Sequence, residues 1–196
     1  MTARTEARGR PRNPETDAAI NAATRRILNE VGYSDLTIEG VARAAGVGRP
    51  TVYRRRATKA SLVAAALREP LDHVNPVIPD TGDVRRDLRE LLFNLVSILT
   101  STDFGTAIVE ILAPAARDAD LEALFHSTVS ERRKVIRTVM QRADDYRRLR
   151  VADVETAIDL ALGAIYYRHL FGNETLDEAF VERVVEALVG PAGSER

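Results

Sequence analysis

For most of its length the chain places apolar residues three and four positions apart, the spacing of helices that pack through one face. Val84, Leu88, Leu91, Leu92, Leu95, Val96 and Leu99 give the clearest run. Helical patterning starts at Pro14, where Ala18, Ala19, Ala22, Ala23, Ile27 and Val31 read as one buried side and Gly32 closes the helix. Thr37 suits the N-cap of "IEGVARAA", Gly46 and Gly48 bracket a turn, and Pro50 fits the first turn of the next helix. Thr58 opens a helix that Pro70 is expected to terminate. Further helices are expected from Gly82 onward, over Phe104–Ala113 with a stop near Pro114, over "LEALFHSTVSERRKVIRTVMQRADD", over Asp153–His169 and over Leu176–Val189. No segment sustains the alternation of a strand. The predicted fold is all-α with about nine helices.

Residues 70–80, "PLDHVNPVIPD", hold three prolines and form the best boundary in the chain. They separate a helical region over 14–69, preceded by an arginine-rich arm over 1–13 that is expected to be flexible, from a helical region over 80–196. Charge follows the same division. The whole chain of 196 residues carries a net charge of −1, yet residues 1–69 hold 13 Lys and Arg against 7 Asp and Glu, while the remainder hold 15 against 22. A basic end on an acidic body suits either a polyanion-binding surface, most often for nucleic acid, or a solvated basic tail, since Arg4, Arg8, Arg10 and Arg12 carry much of the excess.

The absence of cysteine excludes disulfides, thiolate metal sites and cysteine nucleophiles. No apolar segment follows the basic N-terminus, so it is not read as a signal peptide, and the apolar runs are too short to span a bilayer. A cytoplasmic protein without membrane contact is expected. His73, His126 and His169 show no metal-ligand spacing, "GVG" lacks the glycines of a dinucleotide loop, and no serine stands in a nucleophile elbow. An enzyme is therefore not expected, and neither a cofactor nor a metal is called for.

The stretch "TIEGVARAAGVGRPTVYRRR", residues 37–56, reads as a helix-turn-helix. Ile38, Val41, Ala42 and Ala45 can face a core, Val47 can plug the turn and Val52 can anchor the second helix. Arg49, Pro50, Thr51, Tyr53, Arg54 and Arg55 are left for other faces. Arginine suits guanine edges or phosphate, and hydroxyls suit phosphate or a base edge. The basic cluster Arg132, Arg133, Lys134 and Arg137 is read instead as a solvated face paired with Glu131 and neighbouring acids.

The blocks "GYSDLTIEGVARAAGV", "TVYRR" and "KASLVAAAL" closely resemble the DNA-binding motif of TetR-family transcriptional regulators, over Ala18 to Arg68. The resemblance implies that Thr37 caps the second helix near phosphate and that Arg49 and Thr51 approach base edges. It implies that Tyr53 packs on the sugar-phosphate backbone, that Arg54 contacts base or phosphate, and that Lys59 meets phosphate at a helix start. Arg55 is read as a flanking phosphate contact, and Arg10 and Arg12 as arm residues entering a neighbouring minor groove. Many relatives carry an aromatic and a proline where this chain has Arg56 and Ala57.

The region after Gly82 is similar to the ligand-binding half of one branch of the family, which implies a small-molecule effector and a dimer. Leu92, Phe93, Val96, Phe104, Ile108, Ile111, Phe125 and Val129 are the apolar candidates for a pocket, with Arg133 and Tyr167 as polar ones. The last two helices are apolar on most faces, so Ile158, Leu162, Ile165, Phe180, Val184, Val185 and Leu188 are candidates for a homodimer interface, with a fully internal pair in a monomer as the alternative. The expected function is a homodimeric repressor that binds a palindromic double-stranded DNA operator and is released by a small molecule, with a hydrophobic one favoured. A helical protein-binding adaptor without DNA specificity is the alternative.

Overall fold

The computed structural model describes residues 13–190 except 76, 102, 146 and 173, so the arm residues Arg10 and Arg12 lie outside the described residues. Nine α-helices occur among the described residues: α1 Pro14–Asp35, α2 Ile38–Ala44, α3 Arg49–Arg55, α4 Lys59–Val74, α5 Val84–Ser101, α6 Asp103–Ala115, α7 Ala119–Asp145, α8 Val154–Phe171 and α9 Glu178–Leu188. The all-α expectation holds. Each of the seven apolar residues that mark α5 in the sequence is buried.

The face expected of α1 is only partly the face it buries: Ala23 is buried and Ile27 packs against the core. Ile20, Asn21, Ala23, Thr24 and Leu28 are buried, whereas Ala18, Ala19, Ala22 and Val31 are exposed. Alanine is the strongest helix former and loses little by exposure, so a run of alanines marks a helix without marking its inner side. Gly32 does break the helical path, with φ at +74°, a value that glycine adopts without strain. The chain resumes a helical turn beyond it, so α1 ends only at Asp35.

Pro70 does not terminate α4, which continues through it to Val74. The helix thus runs from the N-terminal region into the body, where it packs against α1, α5, α6 and α7. α1 packs against α2, α4 and α6, and so seats the N-terminal helices on the body. Arg25 of α1 strengthens this seat, donating to Asp103 Oδ1 at 3.0 Å, to Glu69 at 2.9 Å and to the Ala66 carbonyl at 2.8 Å. Asn29 donates to the Asp103 carbonyl at 2.9 Å. Among the described residues no single helix is long and apolar enough to cross a membrane.

Candidate nucleic-acid interface

The turn between α2 and α3 is built from backbone hydrogen bonds. Gly46 N donates to the Arg43 carbonyl at 3.2 Å and Val47 N to the Ala42 carbonyl at 3.0 Å, the paired bonds of a Schellman motif. Gly46 stands at φ +66°, the left-handed conformation this motif needs at that position. At the other end of α2 the Thr37 hydroxyl accepts from Gly40 N at 3.0 Å, and its own hydrogen stays available to donate. Ile38, Val41 and Ala42 are buried, and Ala45 and Val47 pack against the core beside them.

Val52 is the one fully buried side chain of α3 and fixes which face of this short helix turns outward. That face carries Arg49, Pro50, Tyr53 and Arg54, all exposed, with Thr51 half-buried at its edge. Arg49 and Tyr53 meet on a residue the sequence reading left out. Arg49 Nη2 pairs with Glu39 Oε1, and Tyr53 Oη donates to the same oxygen at 3.2 Å. The Glu39 carboxyl titrates below its ordinary range, first because of its own backbone N–H and then because of Arg49 and Tyr53. Glu39 lies ten residues before Arg49 on a different helix, so no local spacing rule joins them.

Two candidates sit differently from expectation. The Arg55 side chain is only 9% exposed and its Nε lies 3.3 Å from Asp17 Oδ1 of α1, so it braces α3 inward rather than flanking the outer face. Lys59 begins α4 but is half-buried: its Nζ donates to the Ser34 carbonyl at 2.8 Å and lies 4.5 Å from the Tyr33 ring centre. Burial lowers its pKa, against the pull of Asp35 and Asp118. In this state the ammonium clamps the α1–α2 link. Arg56 turns its Nη1 back to the Arg55 carbonyl at 2.9 Å and so fills, half-buried, the place where relatives often have an aromatic.

In the body, the apolar pocket candidates separate. Phe104, Ile108, Ile111 and Phe125 line a cavity together with Ala64, Leu67, Leu71, Leu121 and Thr128. Its volume is about 20 Å³, well below that of a ligand site. Leu92 and Val96 are core residues that do not line that cavity, Phe93 faces outward at 41% exposure, and Val129 is half-buried without lining it. Arg133 is not a pocket residue either: it pairs with Glu155 at 2.9 Å and with Asp159 of α8 at the surface. Tyr167 is 69% exposed. Arg132 departs from the solvated face expected of the basic cluster, since it is buried. Its signal was present: Leu121, Arg132, Ile136, Val139, Met140 and Ala143 share the inward stripe of α7.

The interface candidates of the last two helices also divide by face. Ile158, Leu162, Ile165, Phe180, Val184, Val185 and Leu188 are all buried within the chain itself. These sides of α8 and α9 are covered within the chain itself. The stripe left open on α8 is Leu160, Gly163, Tyr167 and Phe171.

Comparison with known proteins agrees with this arrangement. Residues 20–66 match the family described as bacterial regulatory proteins, tetR family, and residues 78–188 match the tetracyclin repressor-like C-terminal domain. An uncharacterized HTH-type transcriptional regulator of Mycobacterium tuberculosis is 32% identical over 196 residues, covering 96% of this chain and 95% of that protein. YdeS, an uncharacterized HTH-type transcriptional regulator of Bacillus subtilis, is 29% identical, covering 91% and 90%. The crystal structure of the TetR family regulator SCO0332 superimposes with a TM-score of 0.67 at 31% identity, covering 88% of this chain and 95% of that one. The chain belongs to the TetR family of transcriptional regulators and is a DNA-binding regulator of the helix-turn-helix type.

Proposed function

We propose that the protein acts in the cytoplasm as a homodimeric repressor that binds a palindromic operator and is released by a small molecule held in its helical body. The observation that carries the DNA-reading part is the outer face of α3. Arg49, Tyr53 and Arg54 stand exposed on a helix oriented by one buried anchor, Val52, behind a rigid glycine turn. Such a helix offers charge for phosphate and a planar fork for guanine in the major groove. Thr37, Pro50 and Thr51 border this face, and Lys59 reaches phosphate only if it leaves Ser34.

The dimer is supported by what α8 leaves uncovered. Leu160, Tyr167 and Phe171 are 50%, 69% and 74% exposed, and no neighbouring atom lies within 4 Å of where a Cβ on Gly163 would stand. A contiguous exposed apolar stripe with a gap at its centre suits close packing against the same helix of a second copy. Two heads are also what a palindrome requires, because one helix-turn-helix reads a half-site.

Selection of duplexes from a random pool tests the reading. A two-fold symmetric consensus is expected, and failure to enrich any sequence would refute it. Against the selected duplex, Arg54→Ala and Tyr53→Phe are expected to weaken binding by about tenfold or more each. Deletion of the gene is expected to raise transcription from the operator's promoter, whereas a fall would make the protein an activator.

A further inference from the structure

Two buried charges in the helical body differ in how they are compensated. Asp87 of α5 is 1% exposed and has partners: the Thr81 hydroxyl donates to it at 2.7 Å and Arg142 lies 3.6 Å away. Arg132 of α7 is 6% exposed, and among the described residues no carboxylate lies within ion-pair distance of it. Its Nη2 donates to the Leu91 carbonyl at 2.9 Å, and the Asn75 amide, turned oxygen-inward, accepts from Nη1 at 2.6 Å. Its Nε is buried without an acceptor. Burial lowers the pKa of this guanidinium, with Tyr166 of α8 beside it. A buried cation held only by neutral acceptors is costly, and the cost is relieved by an anion placed against it.

The structure also provides space for one. Arg132 lines a cleft of about 270 Å³ between α4 and α7, together with Leu71, Asn75 and Thr128. The other charged residues at this cleft are paired with one another or with a neighbour: Asp72 lies 3.5 Å from Arg68, which also lines the cleft, and Glu131 pairs with Lys134 at 2.7 Å. Leu71 and Thr128 also line the small apolar cavity that holds Phe104, Ile108 and Phe125. A buried positive charge therefore lies in a cleft that shares two wall residues with an apolar cavity.

We propose that this cleft binds a small monocarboxylate with an apolar tail, its carboxylate pairing with Arg132 and its tail passing Leu71 and Thr128 into the apolar cavity. One uncompensated guanidinium matches one negative charge, and the cleft lies near the small end of ligand sites, so a monoanion of modest length fits best. The tail enters the small cavity only as Leu71 turns aside and the cavity enlarges, and Leu71 belongs to α4, one of the helices on which α1 is seated. That regulatory consequence rests on the effector reading above; the binding itself does not.

Calorimetric titration of the full chain with butanoate, hexanoate and octanoate, beside the matching primary amides, tests the assignment. Carboxylates are expected to bind at least about tenfold more tightly than amides, with affinity rising with tail length. Equal affinity of acid and amide, or no binding at millimolar ligand, overturns it. Arg132→Gln is expected to abolish the preference for the acid, and retained preference overturns the pairing. Should that variant fail to fold by circular dichroism, Leu71→Trp, which blocks the tail's path, decides instead: it is expected to weaken octanoate more than butanoate, and unchanged binding of both overturns the path. Hexanoate that binds without changing DNA affinity refutes the effector reading and leaves this site standing. DNA release by some other molecule, with no carboxylate bound, does the reverse.

Discussion

Glu39 sits on the face that Arg49 and Tyr53 present, and both donors converge on one of its carboxylate oxygens. In the free protein the three side chains hold one another in place. Where the proposed α3 face meets DNA, the same carboxylate would face phosphate charge and compete for Arg49. Glu39→Gln keeps the shape and an acceptor but removes the charge. It is expected to tighten DNA binding several-fold and to steepen the log–log salt dependence by about one ion between roughly 50 and 200 mM salt. Fluorescence anisotropy across that range checks it, and an unchanged slope would mean that Arg49 gains no phosphate contact when the Glu39 charge is removed. Tyr33 shows the same kind of coupling on the inner side. Its hydroxyl donates to Asp118 at 2.9 Å, at the start of α7, while Lys59 lies over its ring.

At the scale of elements, the turn before α3 depends on backbone conformation more than on contact. Nothing lies within 4 Å of a Cβ built on Gly46, so an alanine there meets strain and no clash. Gly46→Ala is expected to cost about 1 kcal/mol and to lower Tm by roughly 2–4 °C for a chain of this size, as read by thermal unfolding. The α7–α8 contact depends on charge. Glu155 accepts from Arg137 at 2.6 and 2.9 Å and from Arg133 at 2.9 Å, and these two, in that order, pull its pKa from an ordinary 4.5 to about 2. Its folded value is the lower one. The stability it contributes is therefore complete above about pH 4.5 and is lost as pH falls towards 2. The Tm difference between the protein and Glu155→Gln is expected to shrink over that window. It should be small throughout, because solvent screens an exposed pair. A difference independent of pH would assign the effect of Glu155 to packing.

For the whole molecule, the open stripe of α8 carries the assembly prediction. Leu160→Asp together with Tyr167→Asp places charge on the stripe without touching the buried side of α8. Sedimentation equilibrium at micromolar concentration is expected to show a dimer for the unaltered chain and a monomer for the double variant, with operator affinity falling in parallel. A monomeric unaltered chain would remove the basis for a palindromic operator. α4 connects this scale to the previous one, since a single helix passes through Pro70 from the DNA-facing region into the body.

Much of this was legible before any coordinates, and for local reasons. Helix periodicity, the caps Thr37 and Thr58, the break at Gly32 and the turn at Gly46 follow from propensities that act within a few residues. So do the inward Val41 and Val52, and through them the outward face of α3. What only the tertiary structure decided was the choice between faces on helices apolar all round, and the partners of charged side chains. α8 buries Ile158 and Ile165 and leaves Leu160 and Tyr167 open because α7 and α9 take one side of it. Arg55 turns inward because Asp17, far away in sequence, stands beside it. Arg132 is buried among α4, α5 and α8, although its sequence neighbours lie at the surface. Periodicity states that a helix has an inside; which residues meet there depends on neighbours that sequence spacing does not encode.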